Sequence, residues 1–295
     1  GHGDDHRARV SDKGGDTIMT YKNFTLTTDD GIALVTWDMA GKSMNVIDMS
    51  VMDELDAIID RIVADEAVTG AIITSGKSTF TGGADLTMLE GLLGEFHRTR
   101  ADDPEGAARM LFDGSRRLSL IYRKLETCGK PFVAALNGTT MGGGTELALA
   151  CHARIAAEGD AFKMALPEVK VGLFPGAGGT QRVMRMCDPQ QGLQFLLQGR
   201  TLDARKAKAM GLIDATAPAD TLVDAARELL KGGVDAVKPW DKKGFKLPGG
   251  PIQSPAGFQF WPAANAIYRR ETHDNYPGAR GLLSAVYEGL QLSMD

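Results

Sequence analysis

Between Phe132 and Thr180 the chain has little freedom. Phe132-Val-Ala-Ala-Leu-Asn137 reads as a buried strand that runs into Met141-Gly-Gly-Gly-Thr-Glu146, and an apolar helix, Leu147-Ala-Leu-Ala-Cys151, follows. A strand must therefore turn into a helix across three glycines. Glu168 comes 22 positions after Glu146, in Ala165-Leu-Pro-Glu-Val169, and a second glycine cluster, Pro175-Gly-Ala-Gly-Gly-Thr180, closes the stretch. Two carboxylates in apolar company, each beside backbone that glycine suits best, form a pattern for proton transfer next to a polarised carbonyl.

Consecutive glycines let backbone N–H groups approach a ligand unobstructed. At a helix start the orphan N–H groups and the macrodipole both favour negative charge. No Lys-Ser/Thr pair follows, so this is not a P-loop, and no G-x-G-x-x-G follows the strand, so it is not a dinucleotide fingerprint. An oxyanion hole and a tight strand-to-helix crossing both remain open on these residues alone. Phe80-Thr-Gly-Gly-Ala-Asp85 follows another strand, Gly70-Ala-Ile-Ile-Thr-Ser75, and could supply a second donor; Asp85 there is equally explicable as a helix cap. Glu146 alone fits an ordinary first-turn glutamate, and Glu168 alone fits an exposed turn. Facing one cavity, they would drive each other's pKa values apart into one acid and one base.

The rest of the chain reads as strands and helices alternating in the first half and helices dominating the second, an α/β pattern. Phe24–Thr27 and Ala33–Trp37 flank Asp29-Asp-Gly31 as a hairpin, and Val51, Met52, Leu55, Ile58, Ile59 and Ile62 recur at helical spacing with Ser50 placed to cap them. Leu93–Pro104 is polar and expected to be a loop, whereas 107–126 is helical. Further helices are expected over 181–186, 190–197, 204–210, 222–231 and 279–292. Three divisions follow: 1–19 as a flexible arm, where His2, Asp4, Asp5 and His6 have nothing to preorganise them around a metal; 20–230 as the core; and 231–295 as an extended connector, Gly232–Pro262, with C-terminal helices. A net charge of −5 gives no footprint for nucleic acid. Three unpaired-looking cysteines, Cys128, Cys151 and Cys187, argue for a reducing compartment, and no apolar run approaches a membrane span. A cytoplasmic or organelle-matrix setting is expected.

In order, Ser43-Met-Asn-Val46, Phe80–Asp85, Ala134–Gly138 with Gly142–Glu146, Ala165–Val169, Gly172–Thr180 and Ala209–Asp214 resemble the crotonase, or enoyl-CoA hydratase/isomerase, superfamily over about residues 20–230. The resemblance implies a spiral of β-β-α turns with a helical C-terminal region. It implies Ala84 and Gly143 as the two N–H donors to a thioester carbonyl, and Glu146 and Glu168 as a water-holding pair. In that pair Glu146 activates the water and Glu168 protonates C2. Gly176 lies beside the water. Gly83, Asp85, Leu86 and Gly142 are further substrate-binding positions, those from Ala84 to Leu86 meeting the CoA adenine. No metal and no cofactor is implied, since the acyl-CoA thioester is the substrate. The implied activity is hydration of trans-2-enoyl-CoA in fatty-acid β-oxidation, with Δ3,Δ2-isomerisation as the alternative within the family and a non-catalytic interaction protein as the alternative outside it. The segment from Val237 to Pro248 and Asn275-Tyr-Pro-Gly-Ala279 resemble the hydratase part of the multifunctional fatty-acid oxidation α subunit. The implied partners are copies of itself, in a trimer or hexamer, or, within a longer chain, a thiolase subunit.

Overall fold

A computed structural model describes residues 9–13 and 16–295. Strands β1 (Arg9–Lys13), β2 (Asp16–Thr20), β3 (Phe24–Asp29) and β4 (Ile32–Trp37) pair antiparallel in sequence order. The β3–β4 turn is the expected Asp-Gly pair, with φ of 49° at Asp30 and 72° at Gly31, the left-handed geometry that matches strand twist. Residues 9–13 and 16–19 are strands, not the arm that their polarity suggests: β1 is the edge strand, held by backbone pairing to β2, and β2 pairs on both sides, with Met19 packed against the core. His2, Asp4, Asp5 and His6 lie outside the described residues.

Helix α1 (Met49–Ala64) then leads to β5 (Gly70–Ser75), and from β4 onward the pairing turns parallel. Helices α2 (Leu86–Arg100) and α3 (Pro104–Thr127) precede β6 (Phe132–Leu136) and the short β7 (Thr140–Met141). Helix α4 (Gly143–Ala150), β8 (Ala153–Ala157) and the short β9 (Met164–Ala165) follow. A 3-10 turn at Glu168–Val171, α5 (Gly179–Met186), α6 (Pro189–Gln198), α7 (Ala204–Ala209), β10 (Ala215–Ala217) and α8 (Leu222–Lys231) complete the α/β part. Helices α9 (Pro255–Thr272) and α10 (Pro277–Gly289) close the chain, α10 lying on α5 and α6. The large sheet runs β1-β2-β3-β4-β5-β6-β8-β10, and β7 pairs parallel with β9 beside it.

Period-2 alternation sorts the central strand between two cores. Phe132, Ala134 and Leu136 of β6 join the larger cluster with α1, α3 and α4, whereas Val133 and Ala135 join the smaller one under Leu222 and Ala226 of α8. Every residue of β5 and β6 is buried, as parallel strands covered on both faces should be.

Three local expectations change. The cap of α1 is Asp48, whose carboxylate accepts from Val51 N at 2.9 Å; Ser50 is already helical, and its hydroxyl accepts from Asn23 Nδ2. The polar stretch from Leu93 to Arg100 is helix, because α2 buries no residue yet lies against α3, where a Cβ at Gly114 would come within 2.9 Å of Leu92 Cδ1. The connector ends earlier than Pro262: Ser254 caps α9, Pro255 occupies its first turn, and Pro262 sits inside it. Proline at a first helical position needs no N–H partner, so Pro255 starts a helix where composition suggests a break.

Asp48→Ala is expected to cost about 1 kcal/mol, lowering Tm by roughly 2–4 °C. Urea unfolding checks it, and an equal loss from Ser50→Ala would return the cap to Ser50.

Candidate active site

The strand-to-helix crossing is closed at Gly142, where φ of 52° and ψ of −128° define backbone that side-chain residues avoid. The approach is tight. A Cβ on Gly142 would lie 3.0 Å from Glu168 Oε1, and one on Gly144 would lie 1.6 Å from Thr81 Cγ2. Thr145 fastens the first turn of α4 with its one hydroxyl proton, shared between Thr140 O and Ala165 O, each 2.9 Å from Oγ1, and Gly142 N donates to Ala165 O at 3.0 Å. Helix α4 is buried along its whole length, so its dipole acts where water screens it little.

The 80–85 loop is fixed by a side chain that sequence reasoning quotes but gives no role, the wholly buried Asn45. Its Nδ2 donates to Trp37 O and Ser75 Oγ at 2.9 Å, and its Oδ1 accepts from Met39 N at 3.1 Å. Its backbone oxygen accepts from Gly82 N at 2.8 Å. Ile47 grips the next residues from both sides, Ile47 N to Gly83 O at 2.9 Å and Asp85 N to Ile47 O at 2.8 Å. The two glycine loops touch: a Cβ on Gly83, which has φ of 97°, would sit 3.2 Å from Met141 O and 3.7 Å from Gly142 Cα. Among the described residues, neither Ala84 N–H nor Gly143 N–H has a protein acceptor. Two unsatisfied donors on touching loops have the make-up of an oxyanion hole. Tyr122 supports the second by donating its hydroxyl to Gly143 O at 2.8 Å.

The two glutamates differ in their surroundings. Glu146 is 2% exposed, and its Oε1 accepts from Ala177 N at 2.8 Å and Gly179 N at 2.7 Å. Burial pushes its pKa up, against the two N–H bonds and the Arg182 charge, which hold it down. Gly179 must be glycine, since a Cβ there would lie 2.9 Å from both Cγ and Oε1 of Glu146. Glu168 opens the 3-10 turn, and its Oε2 is buried without a partner among the described residues. Burial first, and the Glu146 charge second, raise its carboxyl to about 8. Burial thus pushes both carboxyls up, but Glu146 has two N–H donors and the Arg182 charge to oppose it, whereas the Glu146 charge pushes Glu168 further up.

The remaining sequence candidates hold varied places. Gly176 is exposed and open, with nothing within 4 Å of a Cβ built on it, and the donors to Glu146 are its neighbours Ala177 and Gly179. Asp85 caps α2 through Thr87 N at 2.9 Å, which with Lys42 at 3.4 Å holds its carboxyl below the usual range. Leu86 is exposed at the start of α2. Behind the site, Arg182 of α5 and Glu126 of α3 form a buried two-point ion pair at 2.9 and 3.0 Å. At the far end of α4, buried Lys238 donates to Leu149 O at 2.9 Å and Cys151 O at 2.6 Å, its Nζ lying 4.8 Å from the Trp240 ring centroid, and burial pushes its pKa well below the usual lysine value. Among the described residues no cluster of His, Cys, Asp or Glu is grouped as for a metal ion, and no helix is long and apolar enough to cross a membrane.

The chain is similar to known proteins. Residues 27–238 match the family Enoyl-CoA hydratase/isomerase. The fatty acid oxidation complex subunit alpha of Shewanella amazonensis is 35% identical over 278 residues, 93% of this chain and 37% of that protein. Its counterpart in Idiomarina loihiensis is 34% identical over 92% of this chain and 36% of its own length. The chain thus spans little more than a third of these relatives. A crystal structure of enoyl-CoA hydratase from Bacillus anthracis superposes with a TM-score of 0.60 at 26% identity, covering 90% of each chain. With the crotonase fold, the ordered motifs and these similarities together, the chain belongs to the enoyl-CoA hydratase/isomerase family.

Proposed function

We propose that the chain is a 2-enoyl-CoA hydratase, adding water across trans-2-enoyl-CoA to give 3-hydroxyacyl-CoA. The observation that carries this reading is the asymmetry of the glutamate pair: a carboxylate held by two N–H groups beside a carboxyl that keeps its proton to about pH 8. Hydration needs both at once, a base for the water and an acid for carbon.

In this reading the thioester oxygen accepts from Ala84 N–H and Gly143 N–H, which withdraws electrons from the conjugated double bond and makes C3 electrophilic. Glu146 removes a proton from water as the oxygen bonds to C3, and the C2–C3 π pair moves toward the thioester as an enolate. Glu168 then gives its proton to C2. The water's second hydrogen stays on the new hydroxyl, so the product gains one water and the pair still holds one proton, now on Glu146. Exchange through the next water returns it to Glu168. The relatives are named as subunits of fatty acid oxidation complexes, and we extend that setting, and a partner subunit within such a complex, to this chain.

Loss of enoyl-thioester absorbance on mixing with 2-enoyl-CoA is the test, with 3-hydroxyacyl-CoA as the expected product. Glu168→Gln is expected to lower kcat by about 10²–10⁴ with acyl-CoA binding retained. Unchanged turnover in that variant would sink the mechanism.

The pH dependence follows from the same pair. Above about pH 8, kcat/KM is expected to fall about tenfold per pH unit as Glu168 ionises. The folded Glu168 carboxyl binds its proton more tightly than the unfolded one, so its contribution to stability is complete below the ordinary glutamate range and is lost as pH rises through about 8. Glu168→Gln removes that dependence. Its Tm advantage over the unaltered protein is expected to grow between about pH 5 and about pH 8, and a constant difference by scanning calorimetry would contradict the assignment.

A further inference from the structure

Arg182 is 1% exposed and Glu126, its partner, is also 1% exposed. Removing two charges from water is costly, and a buried pair is weak evidence for stability, since apolar replacements often serve as well. What this pair does is directional. Arg182 Nε and Nη2 are committed to the two oxygens of Glu126 at 2.9 and 3.0 Å, which leaves Nη1 aimed at Ala177 O at 3.0 Å. The turn from Ala177 to Gly179 wraps over the guanidinium so closely that a Cβ on Gly178, where φ is 95°, would lie 2.3 Å from Nη1. The same turn presents Ala177 N and Gly179 N to Glu146 Oε1. One peptide segment is therefore held by the arginine on its carbonyl side while its amides hold the glutamate.

We propose that Arg182, oriented by Glu126, is a positioning residue that holds the Ala177–Gly179 turn against Glu146 and so makes Glu146, rather than Glu168, the base of the pair. This rests on the hydratase reading for its catalytic meaning, and on geometry alone for the arrangement. Without the fork, the turn loses the bond to Ala177 O, the two amides lose their aim, and the positive charge nearest Glu146 is gone. The two carboxyls would then compete for the proton on nearly equal terms, and a protonated Glu146 cannot accept from water.

The other charged groups bear on Glu146 from different sides. Glu168 is the like-charged neighbour, its carboxyl raised by burial and then by the Glu146 charge, and buried Tyr122 on α3 stays a neutral phenol, since burial and then Glu146 raise its pKa well above the usual value. Arg123 pairs with Glu126 at 2.9 Å and passes outward to Asp241 at 2.7 Å and Asp295 at 2.8 Å. Arg185 on α5 donates to Gln181 and to Gly289 O and Leu292 O, and Lys238 is spent on the carbonyls that end α4. Among these basic groups, Arg182 is the one that bonds the turn meeting Glu146.

The test is the carboxyl titration of Glu146, followed by 13C NMR on glutamate-labelled protein with Glu146→Gln for assignment. In Arg182→Met the Glu146 titration is expected to move up by about one pH unit or more, with the acidic limb of kcat/KM moving the same way and acyl-CoA binding unchanged. Arg182→Lys keeps a cation without the fork, and a smaller upward move is expected; it carries the test alone if Arg182→Met does not fold. An unchanged Glu146 titration in either folded variant overturns the proposal. Failure of the unaltered protein to hydrate any 2-enoyl-CoA overturns the hydratase reading instead, and leaves the titration result standing on its own.

Discussion

A carboxylate held out of water by two backbone amides is the interaction on which this site depends. Glu146 lies on α4, a helix with no exposed residue, so its charge must be met inside the protein or its proton retained. The amides of Ala177 and Gly179 meet it, and they can do so only because Gly179 has no side chain to collide with the carboxylate. Glu168 has only its own backbone N–H to set against burial and the Glu146 charge, and its Oε2 has no partner among the described residues. The difference in chemistry between the two residues is thus a difference in how many amides each one meets.

The same economy governs the glycine loops. Gly83 and Gly142 are not flexible points but places where two chain segments come within contact distance, each at a positive φ. Asn45, Ile47 and Thr145 then tie each loop to the sheet by named bonds. Donors fixed before a ligand arrives need little reorganisation when charge develops, which is where such sites gain most.

Much of this was legible in the sequence, and the limits have physical reasons. The Asp-Gly hairpin, the buried strands and α8 followed from short-range rules, because turn geometry and periodicity act over a few residues. The ordered glycine and glutamate motifs located Glu146, Glu168 and the 80–85 and 142–144 loops. Asn45 and the Glu126–Arg182 pair had no such signal, since their roles come from contacts between segments as much as 56 positions apart. Ala177 and Gly179 were hidden beside the more conspicuous Gly176, because an amide donor leaves no mark on residue identity. Helix α2 was cut short because a helix that buries nothing looks like a loop, and the start of α9 was read as connector because Pro255 and Pro262 look like breaks.

Lys238 gives the segment after α8 a bearing on the chemistry. Its buried amine closes the carbonyl end of the helix whose amide end faces the thioester in our reading, so α4 is bracketed by a lysine N–H donor at one pole and a substrate oxygen at the other. The polar backbone of the helix is thereby completed by a residue 87 positions downstream of Cys151. A protein trimmed after Lys231 would keep both glutamates and both glycine loops yet lose the Lys238 donor to Leu149 O in an apolar interior, leaving Cys151 O with Arg154 alone. The smallest unit able to hold this site together therefore extends through the turn at Pro239–Asp241, past the point where the regular alternation of strands and helices stops.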